Sequence, residues 1–84
     1  VMMTAGTAKA RGLAPLARVL GNSVHAQAPS QFCTAPIGAV RKLFAKTGLA
    51  AADVDLYEVN DAFAVVAMAA IRDLCLDDAK VNVN

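Results

Sequence analysis

The chain has 84 residues, enough for one small domain, with eight basic and seven acidic side chains and a formal net charge of +1. Apolar residues make up 57% of it, 19 of the 84 being alanine, whereas a body this small is mostly surface and buries only about 60–65% of its extended area; the composition therefore predicts a piece of something larger, or a subunit that hides much of its exterior. Basic residues do not cluster beyond Arg41-Lys42, which argues against a nucleic-acid partner, and the longest apolar run is ten residues against the roughly 18 that span a bilayer, which argues against a membrane.

The N-terminal VMMTAGTAKARG lacks the order of charge, apolar run and cleavage site of a signal peptide, so a soluble, cytoplasmic protein is expected, with an organelle such as the mitochondrion as the other location. Val1-Met2-Met3 reads as the tail of a strand. Thr4 is placed to cap a short helix through Arg11, with Gly12 just past its end. Residues 15–24 (PLARVLGNSV) hold Leu16, Val19, Leu20 and Val24 and predict a strand. His25 to Ala35 predicts a loop, with His25 as a surface histidine. Pro36 opens a second helix on which Ile37, Val40, Leu43 and Phe44 share a face, and Gly48 stops it.

Leu56 to Val59 predicts a short strand, followed by a helix from Asp61 to about Leu76, a turn at Asp77-Asp78, and an alternating segment over residues 81–84. Strand and helix alternate, so the expected fold class is α/β. Cys33 and Cys75 make neither a disulfide framework nor a metal-ligand spacing, and read as free thiols in a reducing compartment. No metal ligands are assigned.

The helix from Asp61 to Leu76 raises the sharpest question. Phe63, Val65, Val66, Met68 and Ile71 surround its whole circumference, and a helix that is apolar on every side must be covered on every side. Small alanines between them permit close approach of flanking backbones. The expected place is between two sheets, or between a sheet and a helix layer, which 84 residues cannot build alone. Its mouth is polar, with Asn60 after the strand and Asp61 in the first turn, where a carboxylate meets the helix dipole favourably by about 0.3–1 kcal/mol. Asn60 has two readings. It caps the helix, or it stands where α/β proteins hold ligands, at the carboxyl end of a strand, as an amide able to bind a water or an oxyanion.

The residues at this junction carry a family resemblance. NDAF, Asn60 to Phe63, resembles the Asn-Glu-Ala-Phe motif of thiolases, the acyl-CoA C-acyltransferases. KARGLAPLARVLG resembles the segment that opens the C-terminal half of that family. TAPIGAVRKLFAKTGLAAADVDLYEVNDAFA follows its helix, turn, strand and catalytic loop in register, and VNVN is similar to the stretch before its Gly-Gly and Gly-His-Pro motifs. The resemblance implies that residues 1–84 form part of the C-terminal domain of a layered α/β/α/β/α fold, with helix 61–76 as its buried central helix.

It also implies an activity: thiolysis of a 3-ketoacyl-CoA by coenzyme A, or the reverse Claisen condensation of two acyl-CoA molecules. Coenzyme A and acyl-CoA would be substrates, with no cofactor, and the partners would be the remainder of the thiolase chain and further copies in a homodimer or homotetramer. Asn60 matches the family asparagine that holds a water which, with a histidine, stabilises the thioester enolate. Ala62 and Phe63 match positions lining the thioester and pantetheine pocket. The family's usual glutamate is Asp61 here, and Gly38 stands where a proline is common. Asn60 and Ala62 argue against the sterol-carrier subgroup, which has His-Asp-Cys-Phe at this place. Cys33, Cys75 and His25 match none of the family's cysteine or histidine motifs, so the 84 residues alone are expected to be inactive. The alternative is a non-catalytic thiolase-like module that binds acyl-CoA or a protein partner.

Overall fold

The computed structural model describes residues 1–84, and three helices dominate it: α1 (Ala5–Ala10), α2 (Ala35–Thr47) and α3 (Ala64–Leu74). Short 3-10 turns lie at Pro29–Thr34, Ala51–Asp53 and Asp78–Lys80. Both ends of α1 follow from local chemistry. The Thr4 hydroxyl accepts from the Thr7 N–H at 3.2 Å, satisfying one of the unpaired donors of the first turn. At the other end Gly12 takes φ +65°, its N–H bonds Lys9 O, and the Leu13 N–H reaches back to Ala8 O at 2.9 Å. That pair of bonds closes a helix as a Schellman motif, which needs a left-handed residue.

Pro36 lies in the first turn of α2, and Gly48 ends the helix at φ +75°, with its N–H on Phe44 O. Ile37 on α2 meets Ala69 and Ala70 on α3, and Val59 and Leu74 pack against these three. The two alanines let the helices approach closely, as expected from the sequence.

The expected strands do not pair. Residues 1–3, 15–24, 56–59 and 81–84 form no sheet, and one parallel bridge, Tyr57 to Val81, is all the pairing there is. A strand is held by neighbouring strands, and three or more are needed for independent stability. The segment over residues 21–27 is instead bound side-on to α2. Ser23 donates to Ala39 O at 2.7 Å, and the Lys42 and Lys46 ammonium groups donate to Val24 O and Asn22 O. Inward positions are Gly21, Ser23, His25 and Gln27, whereas Leu16, Val19, Leu20 and Val24 face outward and stay exposed.

His25 is not the surface histidine expected. Its ring lies over Gly38, where a Cβ would come closer to the imidazole Cδ2, Nε2 and Cγ than van der Waals contact allows, and its Nδ1 is buried with no partner. Its Nε2 pairs with Gln27 Oε1 at 3.0 Å. The Gln27 amide nitrogen then donates to Gln31 O and to the Thr34 hydroxyl, tying down the 3-10 turn within the expected loop. Gly38 is therefore a fitted position. Gly38→Ala is expected to push the ring off its seat and cost about 1–3 kcal/mol. Thermal unfolding of the full-length protein should show that loss shrinking in a His25→Ala background, because the clash then has no second party.

Helix α3 is shorter than expected at both ends. Phe63 is extended and no acidic residue falls in the first turn, so Asp61 does not meet the helix dipole. At the far end Cys75 is left-handed at φ 52°, the Leu76 N–H bonds Ile71 O at 3.0 Å, and Leu76 is buried. This is again a Schellman closure, with cysteine in the place glycine usually takes. Nor is α3 enclosed: Val66 is 3% and Ala70 1% exposed, while Phe63, Val65 and Met68 are more than half exposed.

The whole body is open. Its radius of gyration is 15.3 Å, against about 12 Å for a compact domain of this length. Its accessible surface is 6492 Å², against about 4,700 Å² for a folded monomer of this mass. A groove of about 360 Å³ with Val19, Leu20, Leu43, Phe44 and Leu56 in its walls runs unfilled beside α2. Much of the apolar surface is left uncovered by the chain itself.

Candidate functional site

Alternation along 57–60 sets the site. Tyr57 and Val59 turn inward, and Glu58 and Asn60 turn outward. The Tyr57 N–H bonds Lys80 O and its C=O accepts from the Asn82 N–H, both at 2.8 Å, which builds the parallel bridge. The Tyr57 hydroxyl donates to Ala51 O at 2.8 Å, and burial, with Asp53 nearby, pushes the phenol above its ordinary pKa of 10.0. It stays protonated at neutral pH and acts as a fixed donor.

Beyond the bridge the Asn82 side chain takes over. Its Oδ1 accepts from the Val59 N–H at 2.7 Å, and its Nδ2 donates to Val59 O at 2.9 Å. Asn60 follows directly. An open cleft of about 440 Å³ forms there, lined by Glu58, Val59, Asn60, Asp61, Asn82 and Asn84. Asn84 Nδ2 lies 3.4 Å from Glu58 Oε1, a weak contact across it.

Asn60 does not cap α3. That place belongs to Phe63, which makes no side-chain cap bond. The Asn60 amide is exposed, lines the cleft and makes no hydrogen bond within the chain, so its N–H₂ and C=O are both left for other partners. Of its two sequence readings, the cap is the one the geometry removes. Asp61 is likewise exposed and unbonded. The lining includes two carboxylates and no cation, which suits a neutral group better than a phosphate.

Ala62 and Phe63 are exposed and do not line that cleft. Phe63 instead meets Phe32, from the 3-10 turn before α2, edge to face, with ring centroids 6.2 Å apart. Phe32 was missed from sequence because its neighbour is 31 residues away and no local pattern links them. Asn82 was missed because VNVN reads as plain alternation. Cys33 is half-buried and Cys75 exposed; both are free thiols, and neither lines the cleft. No three His, Cys, Asp or Glu side chains are gathered to hold a metal ion, and no helix is long and apolar enough to cross a membrane.

Comparison with known proteins gives a consistent answer. The family profile described as "Thiolase, C-terminal domain" matches residues 13–84. The acetyl-CoA acetyltransferase of Schizosaccharomyces pombe is 44% identical over all 84 residues, which cover 21% of that protein. Among solved structures, the Bacillus anthracis acetyl-CoA acetyltransferase superposes with a TM-score of 0.91 at 42% identity, over 96% of this chain and 21% of that one. The Acat5 thiolase of Ascaris suum, solved in complex with coenzyme A, gives 0.92 at 35% identity, over 95% and 21%. The chain thus spans about a fifth of the length of the relatives it matches.

Proposed function

Since this chain belongs to the thiolase family by its C-terminal domain, we propose that it is part of an acyl-CoA C-acyltransferase, in which Asn60 supports the enolate formed during thiolysis or condensation. The single observation that carries the site assignment is the Asn60 amide, unbonded within the chain and open to a cleft at the end of the Tyr57 bridge. Residues 1–84 are read as one portion of the thiolase C-terminal domain. The outward apolar residues of 15–24 and the open face of α3 support further layers over them, in an α/β/α/β/α arrangement.

In the proposed reaction a thiolate attacks the 3-keto carbon of the substrate, and the bond between C2 and C3 breaks. Its electron pair passes to the thioester as an enolate, which a proton converts to acetyl-CoA. Coenzyme A then takes the acyl group from the enzyme. The charge that develops on the enolate oxygen needs donors fixed in advance, and Asn60 contributes one by orienting a water with its amide. With Glu58 and Asp61 and no cation in its lining, this cleft disfavours the substrate's phosphates and takes the neutral thioester end, and the enolate that forms there depends on neutral donors such as the water Asn60 orients. Ala62 and Phe63, with Phe32 behind Phe63, are proposed as a wall for the acyl-pantetheine stem. Neither Cys33 nor Cys75 is the nucleophile; that thiolate belongs to other parts of the protein, as does the histidine. Coenzyme A enters as substrate, and no cofactor is required.

The test is thiolysis of acetoacetyl-CoA by coenzyme A with the purified full-length gene product, beside a peptide of residues 1–84. Turnover by the first and none by the second is expected. A full-length protein that neither cleaves acetoacetyl-CoA nor condenses acetyl-CoA would leave the non-catalytic module as the better reading.

A further inference from the structure

We propose that Asn82 is the positioning residue for Asn60, its side chain standing in for the rung that would follow the Tyr57–Val81 bridge, so that the Asn60 backbone is fixed where the two segments part. In a parallel pair built on Tyr57 and Val81, the next rung would run from the Val59 N–H to Asn82 O and from the Asn84 N–H to Val59 O. The main chain cannot make it, because Asn82 is left-handed at φ 51° and turns the backbone away. Its side-chain amide makes both bonds instead, accepting from the Val59 N–H at 2.7 Å and donating to Val59 O at 2.9 Å.

Only asparagine meets both demands at once. It tolerates the left-handed region better than other non-glycine residues, and it offers one acceptor and a donor pair with the spacing of a peptide group. Aspartate would lack the donor and glycine the whole group. Val59 is half-buried against the Ile37–Ala69–Ala70 cluster, so its N–H and C=O would be costly to leave unpaired. The bond to Val59 O matters most for the site. That oxygen belongs to the peptide group joining Val59 to Asn60, and holding it sets the plane from which the Asn60 side chain leaves for the cleft that Asn82 also lines. The inference rests on the reading of Asn60 given above.

The experiment measures kcat and KM for acetoacetyl-CoA thiolysis by the full-length protein carrying Asn82→Gly, Asn82→Asp and Asn60→Ala, and each Asn82 change combined with Asn60→Ala. Glycine accepts the φ and removes the clamp, and is expected to lower kcat about 10- to 100-fold, the range for a small misplacement of a reacting geometry, with KM changed less than about twofold. In the Asn60→Ala background the same change is expected to lower kcat no further, because the group it positions is gone. If Asn82→Gly yields no folded protein, Asn82→Asp, of the same shape but without the donor to Val59 O, decides the matter by the same non-additivity. Losses that multiply with that of Asn60→Ala, or unchanged kcat in both Asn82 variants, would overturn the positioning role alone. An Asn60→Ala enzyme as active as wild type would overturn both this role and the reading of Asn60.

Discussion

Asn60→Ala in the full-length protein is expected to lower kcat for thiolysis about 10²–10³-fold while leaving the thermal midpoint where it was. The size is that measured for deleting one donor from a preorganised oxyanion site. The separation of activity from stability comes from the structure. The Asn60 side chain bonds to nothing within residues 1–84 and does not cap α3, and in the proposed site it faces a water and not a packed neighbour, so its removal is expected to take away no folding contact and to cost about 0.5 kcal/mol or less. KM should move little, since the amide acts on charge that exists only once the carbon–carbon bond is breaking. Asn60→Asp keeps the shape, loses the donor and adds a carboxylate beside Glu58 and Asp61. It should fall at or below the alanine variant at neutral pH. Initial rates with acetoacetyl-CoA, set beside unfolding curves, check both parts, and an equal loss in rate and stability would return Asn60 to a structural role.

What could be read beforehand was what short-range chemistry decides. Thr4, Gly12, Pro36 and Gly48 mark helix ends because a hydroxyl acceptor, a left-handed glycine and a ring without an N–H each solve a problem confined to one turn. The match of NDAF and its flanks to a family also lay in the sequence, and the comparisons bear it out. The strands were not recoverable in the same way. Leu16, Val19, Leu20 and Val24 stay exposed, and no other segment of the chain pairs with theirs as a strand. Their pattern describes the environment, not a pairing.

The limits of α3 show a second kind of failure. Nothing in Leu-Cys-Leu announces a stop, yet Cys75 turns left-handed so that Leu76 is buried and the chain returns toward Val81 at the Tyr57 bridge. The start moves to Ala64 because Phe63 is extended toward Phe32. His25 on Gly38 and Asn82 on Val59 belong to the same class: each pairs residues at least 13 apart through one contact. Such contacts leave no period in the sequence. From sequence Gly38 reads only as a place where the family often has proline, and a glycine inside an amphipathic helix does not name what approaches it.

The layering itself is open to a direct test on α3. Met68 is 65% exposed here, on the face opposite Ala69 and Ala70, and a residue so exposed on a finished surface would tolerate almost any polar replacement within about 0.5 kcal/mol. If the proposed layers enclose α3, the same side chain is covered, and a carboxylate there is buried without a partner. Aspartate is too short to carry its charge out to water along the helix, as a lysine could. Met68→Asp is therefore expected to cost the full-length protein about 4 kcal/mol or more, a large part of the 5–15 kcal/mol that holds a typical domain together. The expected result is a collapse in soluble yield or thermal midpoint. Ala45→Asp serves as the control, since it lies on the exposed side of α2 among Arg41, Lys42 and Lys46, where a carboxylate meets solvent and nearby cations. If the two variants melt alike, α3 lies on a surface and the enclosing layers are wrong. A large loss for Met68→Asp alone means that the surface left bare by these 84 residues is an interior.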